Sequence, residues 1–400
     1  MKASDLQVTR FRGLNTTGDP LTLGLGWMTD ADNLLITGDG KLGRRDGFAA
    51  TATLACTAIT AAYATRDQER AYLIDAGVLK TADGVTLSSG LATNTAYWAE
   101  VNDLVFLANG TDALMIDADN TVLTWDWPIP PTPALSAVTG GLAPGLYRAC
   151  CTYILPDGRE TGPSNIVEIE LTDGQALQLA GILQLSGYRT RTYICPANST
   201  VFGLASASTA TALLWNFPPT SLGIELRTED CDPIPEGCDV IQHWQGRMWA
   251  ALYDQGSDTT AIFQSKAFGF HLFDLDEAVA VTGRVLMLAP TDGGLVIGTD
   301  EHIWVRMPDG QLGKLAHYGV VPGMSWAFDL LEDGRDNDKA VLFWSQRGLC
   351  RALPFANLTA GHLSVAPGVK ASAAVIARRG EKHFIANLHA GGTAFNPFAN

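Results

Sequence analysis

Six segments of this 400-residue chain follow one plan: an apolar strand, a short polar turn, and a second apolar strand. They are YLIDAGVLKTADG from Tyr72, VFLANGTDALMIDADN from Val105, MWAALYDQGSDTTAIFQSK from Met248, LVIGTDEHIWVRMPDG from Leu295, VLFWSQRGLCRALPFAN from Val341 and FIANLHAGGTAFNP from Phe384. The last four begin 47, 46 and 43 residues apart, within the roughly 40 to 50 residue step of four-stranded propeller blades. A unit of that size cannot bury its own apolar face, so neighbours must stack. The expected fold is therefore all-β, a β-propeller of about six blades.

The step fails once. From Val105 to Met248 the gap is 143 residues, and it encloses a stretch of different character, residues 131–220. This stretch opens with the proline cluster Pro128, Pro130, Pro131 and Pro133 and closes near Pro218-Pro219, as linkers do. Within it, LYRACCTYILPDGRETGPS and YRTRTYICP read as short strands around turns, with Trp215 near the end. About 90 residues of this kind suit a small β-sandwich. Removing them leaves a 53-residue gap, near one blade. The expected organisation is a discontinuous propeller over 1–130 and 221–400 with an inserted sandwich over 131–220. A further hairpin-like unit, Ala31 to Phe48, is either another blade or the strand that closes the ring.

Turn dipeptides such as Asp83-Gly84, Asn109-Gly110, Asp157-Gly158, Asp292-Gly293 and Asp309-Gly310 separate the apolar runs, and no long segment keeps a 3.6-residue apolar period. Helix content should be low. Lys and Arg number 27 against 42 Asp and Glu, a net charge of −15, which opposes a sequence-independent grip on nucleic-acid phosphates. Met1 to Gly13 holds no apolar stretch of signal-peptide length, and no segment approaches about 20 uncharged apolar residues. A soluble product made in a cytoplasm, without stable membrane insertion, is expected. Seven cysteines at irregular spacing make a complete disulfide framework impossible, so reduced buried thiols are the default. Cys150 and Cys151 should face opposite ways on one strand. Cys231 and Cys238 flank a proline-containing loop, and the sequence leaves open whether they form a disulfide.

Chemistry-bearing motifs are sparse. Gly38-Asp39-Gly40-Lys41-Leu42-Gly43 fits GxGxxG, but Arg44-Arg45-Asp46-Gly47 follows in place of a helix that would hold a pyrophosphate, so these glycines read as turn residues. The histidines at 243, 271, 302, 317, 362, 383 and 389 show no metal-binding spacing beyond His383 and His389, expected on the two sides of one hairpin. Gly323-Met324-Ser325-Trp326-Ala327 lacks the last glycine of a nucleophile elbow. The acidic groups Asp117 and Asp119, and Asp333, Asp336 and Asp338, match no calcium loop and read as hydrated turns. Tryptophans 98, 125, 244, 249, 304 and 344 lie on or beside blade strands, where core packing is the expected use and glycan stacking the competing one. No catalytic, cofactor-binding or metal residue is assigned, and the chain is expected not to be an enzyme.

Three groups of residues carry a resemblance. FRGLN, Trp27 and ADNLLITGDGKLGRRDGF open the chain; YRACCTYILPDGRETGPS follows; HWQGRMWAA with Gln264-Ser265, and GLVIGTDEHIWV with VVPGMS, come later. In this order they resemble bacteriophage tail nozzle or packaged-DNA stabilisation (head-to-tail) β-propeller proteins. The motifs are short and scattered over nearly the whole chain. The resemblance implies a fibronectin-like insert and a structural virion protein of the tail, made in the host cytoplasm. Such a protein forms a homohexameric ring that extends the DNA exit channel below the portal and adaptor. It implies as partners the adaptor or head-to-tail connector and a tail fibre or tip protein, with DNA passing through during ejection without sequence-specific binding and with no cofactor. The alternative is a propeller-type tail-tip or receptor-binding protein that recognises host surface glycans.

Overall fold

The computed structural model describes residues 8, 10–37, 39–45, 55–65, 67, 69–322, 341–364, 369–378 and 381–389. Among them there is no α-helix; one 3-10 turn, Pro219–Ser221, accompanies many short strands in small sheets. The protein is all-β. The chain divides into two compact units, one of residues 58–254 and 260–281, the other of 1–57, 255–259 and 282–400.

The first of these units holds two four-stranded antiparallel meanders in its N-terminal part. One is built from Ile59–Ala64, Ala71–Asp75, Val78–Thr81 and Thr86–Ser89, the next from Tyr97–Val101, Leu104–Ala108, Ala113–Ile116 and Val122–Thr124. A third four-stranded sheet follows the insert: Val240–Trp244, Arg247–Asp254, Thr259–Lys266 and Gly269–Thr282. The strand Leu104–Ala108 shows why these sheets stack. Alternate side chains of a strand point to opposite faces, and here both faces are apolar. Val105 and Leu107 join Tyr72, Ile74 and Leu79 of the preceding sheet in one core. Phe106 and Ala108 join Ile241, Met248 and Phe273 of the later sheet in another. A sheet buried on both sides reads as a continuous apolar run rather than an alternation, as LVFLA does.

Between the second and third sheets the chain forms two further sheets that share a core. The three-stranded one has Gln175–Ala180 between Ala134–Thr139 and Ala212–Trp215. The four-stranded one runs in the order Val167–Leu171, Gly145–Ile154, Arg189–Cys195, Gly203–Ser206. Leu177, Leu179 and Trp215 of the first meet Tyr147, Ala149, Cys151 and Ile194 of the second. Cys150, one residue on, points into a separate cluster with Tyr193, Cys195 and Phe202.

In the other unit the four-stranded meander is Val285–Thr291, Gly294–Thr299, Ile303–Arg306 and Leu312–Ala316. A three-stranded sheet, Leu342–Ser345, Gly348–Arg351 and Ala356–Asn357, follows it. Met287, Val296, Val305, Phe343, Cys350 and Ala371 share its core. Leu34–Ile36 pairs with Leu42–Arg44, the hairpin expected from ADNLLITGDGKLGRRDGF, with Gly40 at φ +81° in its turn; Gly38 lies outside the described residues. The N-terminal segment is tied to the 361–364 turn. Thr16 N–H donates to the His362 carbonyl at 2.8 Å, Ser364 N–H donates to Thr16 Oγ1 at 2.9 Å, and the Trp27 and His362 rings stack at 5.0 Å.

One expected hairpin differs. FIANLH belongs to the second strand, Glu381–His389, of a hairpin whose first strand is Lys370–Arg378. The first strand, KASAAVIAR, is alanine-rich and lacks the bulky runs by which strands are recognised. The 43-residue step therefore compared a second strand with first strands. His383 and His389 stand on one strand, not across a hairpin. Asp333, Asp336, Asp338 and Gly323 to Ala327 lie outside the described residues.

Candidate functional site

The polar groups most tightly organised in the larger unit surround Glu160, which follows the turn Leu155 to Arg159 after the long strand Gly145–Ile154. Thr152 lies eight residues before it on that strand, and Arg191 and Tyr193 stand two apart on the neighbouring strand, hence on one face. Glu160 Oε1 accepts from Thr152 Oγ1 at 2.6 Å and from Tyr193 OH at 2.8 Å, while Oε2 accepts from Arg191 Nη1 at 2.7 Å. Burial, followed by the bond to Glu160 and its charge, pushes the Tyr193 hydroxyl far above its ordinary value. A carboxylate whose two oxygens are taken by three donors is a structural anchor.

The same loop reaches the third sheet. His271 Nε2 lies 3.0 Å from the Glu160 carbonyl oxygen. A carbonyl only accepts, so Nε2 carries the proton and Nδ1 is the titrating nitrogen. Burial, and then the nearby Arg159 guanidinium, hold His271 down at about 4, against smaller opposing pulls from the bond to the Glu160 carbonyl and then from Asp157. Two tryptophans close the contact: Trp125 Nε1 donates to the Phe270 carbonyl at 2.8 Å and Trp127 Nε1 to the His271 carbonyl at 2.7 Å. Trp125-Asp126-Trp127 is thus a strap that places two indoles on consecutive carbonyls. Thr228 Oγ1 donates to the Thr161 carbonyl at 2.8 Å. At Gly162 a Cβ would sit 1.7 Å from the Cys231 carbonyl oxygen, so only glycine fits. These contacts seat the inserted strands on the rest of their unit.

The other candidates are spread through the molecule. Asp117 Oδ1 accepts the Asp119 and Thr121 N–H groups at 2.9 and 2.8 Å, the geometry of a side-chain-braced turn. A shallow groove of about 270 Å³ opens beside Arg70, Tyr72, Asp83 and Asn120. Its polar groups have partners of their own: Arg70 donates to the Asp117 and Asp103 carbonyls, and Tyr72 OH to Asn120 Oδ1 at 2.7 Å. Trp125, Trp244, Trp249 and Trp344 are buried, while Trp98 and Trp304 are half-buried, the latter under the Lys314 ammonium at 4.4 Å. All seven cysteines are free thiols, including Cys231 and Cys238. Burial raises Cys151 and Cys231 to about 11, which leaves them unreactive near neutrality. No group of three or more His, Cys, Asp or Glu side chains suited to a metal ion occurs among the described residues.

Sequence reasoning did not single out Glu160, Arg191, Tyr193 or the role of His271. The available signal was the alternation YRTRTYIC, which puts Arg191 and Tyr193 on one face of a buried strand and so demands an anion there.

No family model matches the chain, and no curated protein matches it in sequence. Among solved structures it is similar to BBS1N crystallised in complex with ARL6DN, at 13% identity and a TM-score of 0.33, over 80% of this chain and 84% of that one. Apo AztD from Citrobacter koseri shows 12% identity and a TM-score of 0.27, over 82% and 88%. Porphyromonas gingivalis dipeptidyl peptidase 4 shows 10% identity and a TM-score of 0.25, over 80% of this chain and 45% of that one. Likenesses of this size carry no argument about activity.

Proposed function

We propose that this chain is a structural, non-enzymatic virion protein of a bacteriophage tail, a nozzle or hub component. Copies form a ring that extends the DNA exit channel below the portal and adaptor. In this reading the small sheets are blades of a β-propeller of about six, the strands of 131–220 are an inserted fibronectin-like sandwich, and ejected DNA passes an acidic wall. The observation that carries it is the strand Leu104–Ala108, buried on both faces between the sheet before it and the sheet after the insert, which is how blades stack. Three further features support it: the order of the opening and later motifs, the net charge of −15, which would repel phosphates, and the use of the best-organised polar network as an anchor. The glycan-binding alternative draws its support from tryptophan faces, and four of the six tryptophans on or beside the sheets are buried.

The test is made on particles. In phage particles that encode this chain, it should appear as a symmetric ring between the adaptor and the tail tip. Particles assembled without it should lose packaged DNA or fail to eject it. Intact, infectious particles lacking the protein would sink the reading. Saturable binding to host envelope polysaccharide, abolished by Trp304→Ala, would favour the alternative.

A further inference from the structure

The three-stranded sheet of the insert carries no charged side chain in any strand: ALSAVT, QALQLA and ALLW. It belongs to a wider pattern, because the 33 residues from Thr192 to Ile224 contain no Asp, Glu, Lys, Arg or His. At the chain's average of 17% charged residues about five or six would be expected. The pattern is not general to the insert, since the facing four-stranded sheet carries Arg148, Glu168, Glu170, Arg189 and Arg191. On the outer face, Ser136, Gln178 and Leu214 stand in one cross-strand row and Ala134, Ala180 and Ala212 in the next. Leu214 is 59% exposed, and the ends of its strand are flanked by Leu183 and Phe217, 53% and 55% exposed.

The edges of the two sheets are treated differently. Gly203–Ser206, the outer strand of the charged sheet, is covered by its own chain: Leu204 N–H donates to the Ile224 carbonyl at 2.9 Å and Gly223 N–H to the Leu204 carbonyl at 2.8 Å. Ala212–Trp215 pairs with Gln175–Ala180 on one side and has no backbone partner on the other among the described residues. Exposed sheet edges are ordinarily blunted by lysine, proline or an inward charge. Within this strand none of these is present.

We propose that this uncharged sheet is a self-association surface, its edge strand Ala212–Trp215 meeting the uncharged outer strands of the same sheet in a second copy of the chain. Charge selects the occupant. Two chains of net charge −15 repel, and a contact between these surfaces adds no like-charge pair. The sheet also offers two different outer strands, Ala134–Thr139 and Ala212–Trp215, so a contact between unlike strands can propagate and close a ring. The proposal rests on the ring reading for the side-by-side arrangement of copies and adds the surface that holds them.

The experiment is sedimentation velocity and native mass spectrometry of the full chain across a concentration series. Wild type is compared with Leu214→Lys, Ser136→Lys and, as a control for a charge at an equally exposed apolar position elsewhere, Val85→Lys. Wild type and Val85→Lys should assemble alike. Leu214→Lys and Ser136→Lys, shown to be folded by circular dichroism, should need at least about tenfold more protein to assemble. A monomeric wild type, or folded variants that assemble like wild type, would overturn the proposal. Assembly indifferent to both substitutions removes this surface while leaving the tail reading to the particles. Infectious particles without the protein remove the tail reading while leaving the solution contact intact.

Discussion

The chemistry of single side chains in this molecule is spent on fastening, and Glu160 shows it. Its two oxygens hold Thr152, Arg191 and Tyr193, so Glu160→Gln would turn an amide NH2 toward the Arg191 guanidinium and leave that charge without its counterion. The pair is partly solvated, with side-chain exposures of 27% and 20%, so the loss should be about 1–3 kcal/mol, read as a lower denaturation midpoint at unchanged slope. His271 gives a pH signature. Its folded value of about 4 lies below the ordinary 6.5, so the unfolded chain takes up a proton that the folded chain refuses. Above pH 6.5 the group is neutral in both states and has no effect. As pH falls from 6.5 to 4 the folded state loses about 3 kcal/mol from this residue. His271→Gln keeps an N–H donor toward the Glu160 carbonyl without titrating, so its stability should fall less steeply than wild type over that window. Parallel curves for the two proteins would show that His271 is not the source.

Among the elements, strand Leu104–Ala108 has much to lose, because it faces two cores at once. Phe106→Ala should cost about 3–5 kcal/mol by opening a cavity against Trp125, Phe270 and Phe273. Hydrogen exchange should then speed up in the 97–124 and 240–273 strands; protection unchanged there would contradict the two-faced packing. This strand was legible in the sequence because two bulky apolar runs around a short polar turn leave little alternative to a buried hairpin, and the same signal located the hairpins at Tyr72, Met248, Leu295 and Val341. It failed at Lys370–Arg378, where alanines fill the strand and only the pairing with Glu381–His389 defines it. The anchor was harder to see for a different reason. Glu160 and His271 are 111 residues apart and meet through a backbone carbonyl, an acceptor that every residue possesses and no sequence pattern marks.

At the scale of the whole molecule, net charge and the uncharged sheet make opposing demands on assembly, and added salt separates them. A contact built from ion pairs weakens as salt is added, because screening removes its attraction. A contact between uncharged strands on chains of net charge −15 behaves in the opposite way. Its attraction is burial and backbone pairing, which moderate salt leaves intact, while the repulsion between the remaining charges is screened beyond about 10 Å at 0.1 M. Self-association of the wild-type chain should therefore strengthen between about 0.02 M and 0.3 M sodium chloride, and Leu214→Lys should stay weaker at every concentration of salt. Duplex DNA gives the complementary measurement. With an excess of 15 negative charges per chain there is no counterion release to drive binding, so mobility-shift assays at low salt should show no complex. Assembly that dissolves as salt rises, or a retarded DNA band at low salt, would mean that local basic clusters such as Arg10, Arg12, Arg44 and Arg45 outweigh the charge of the whole.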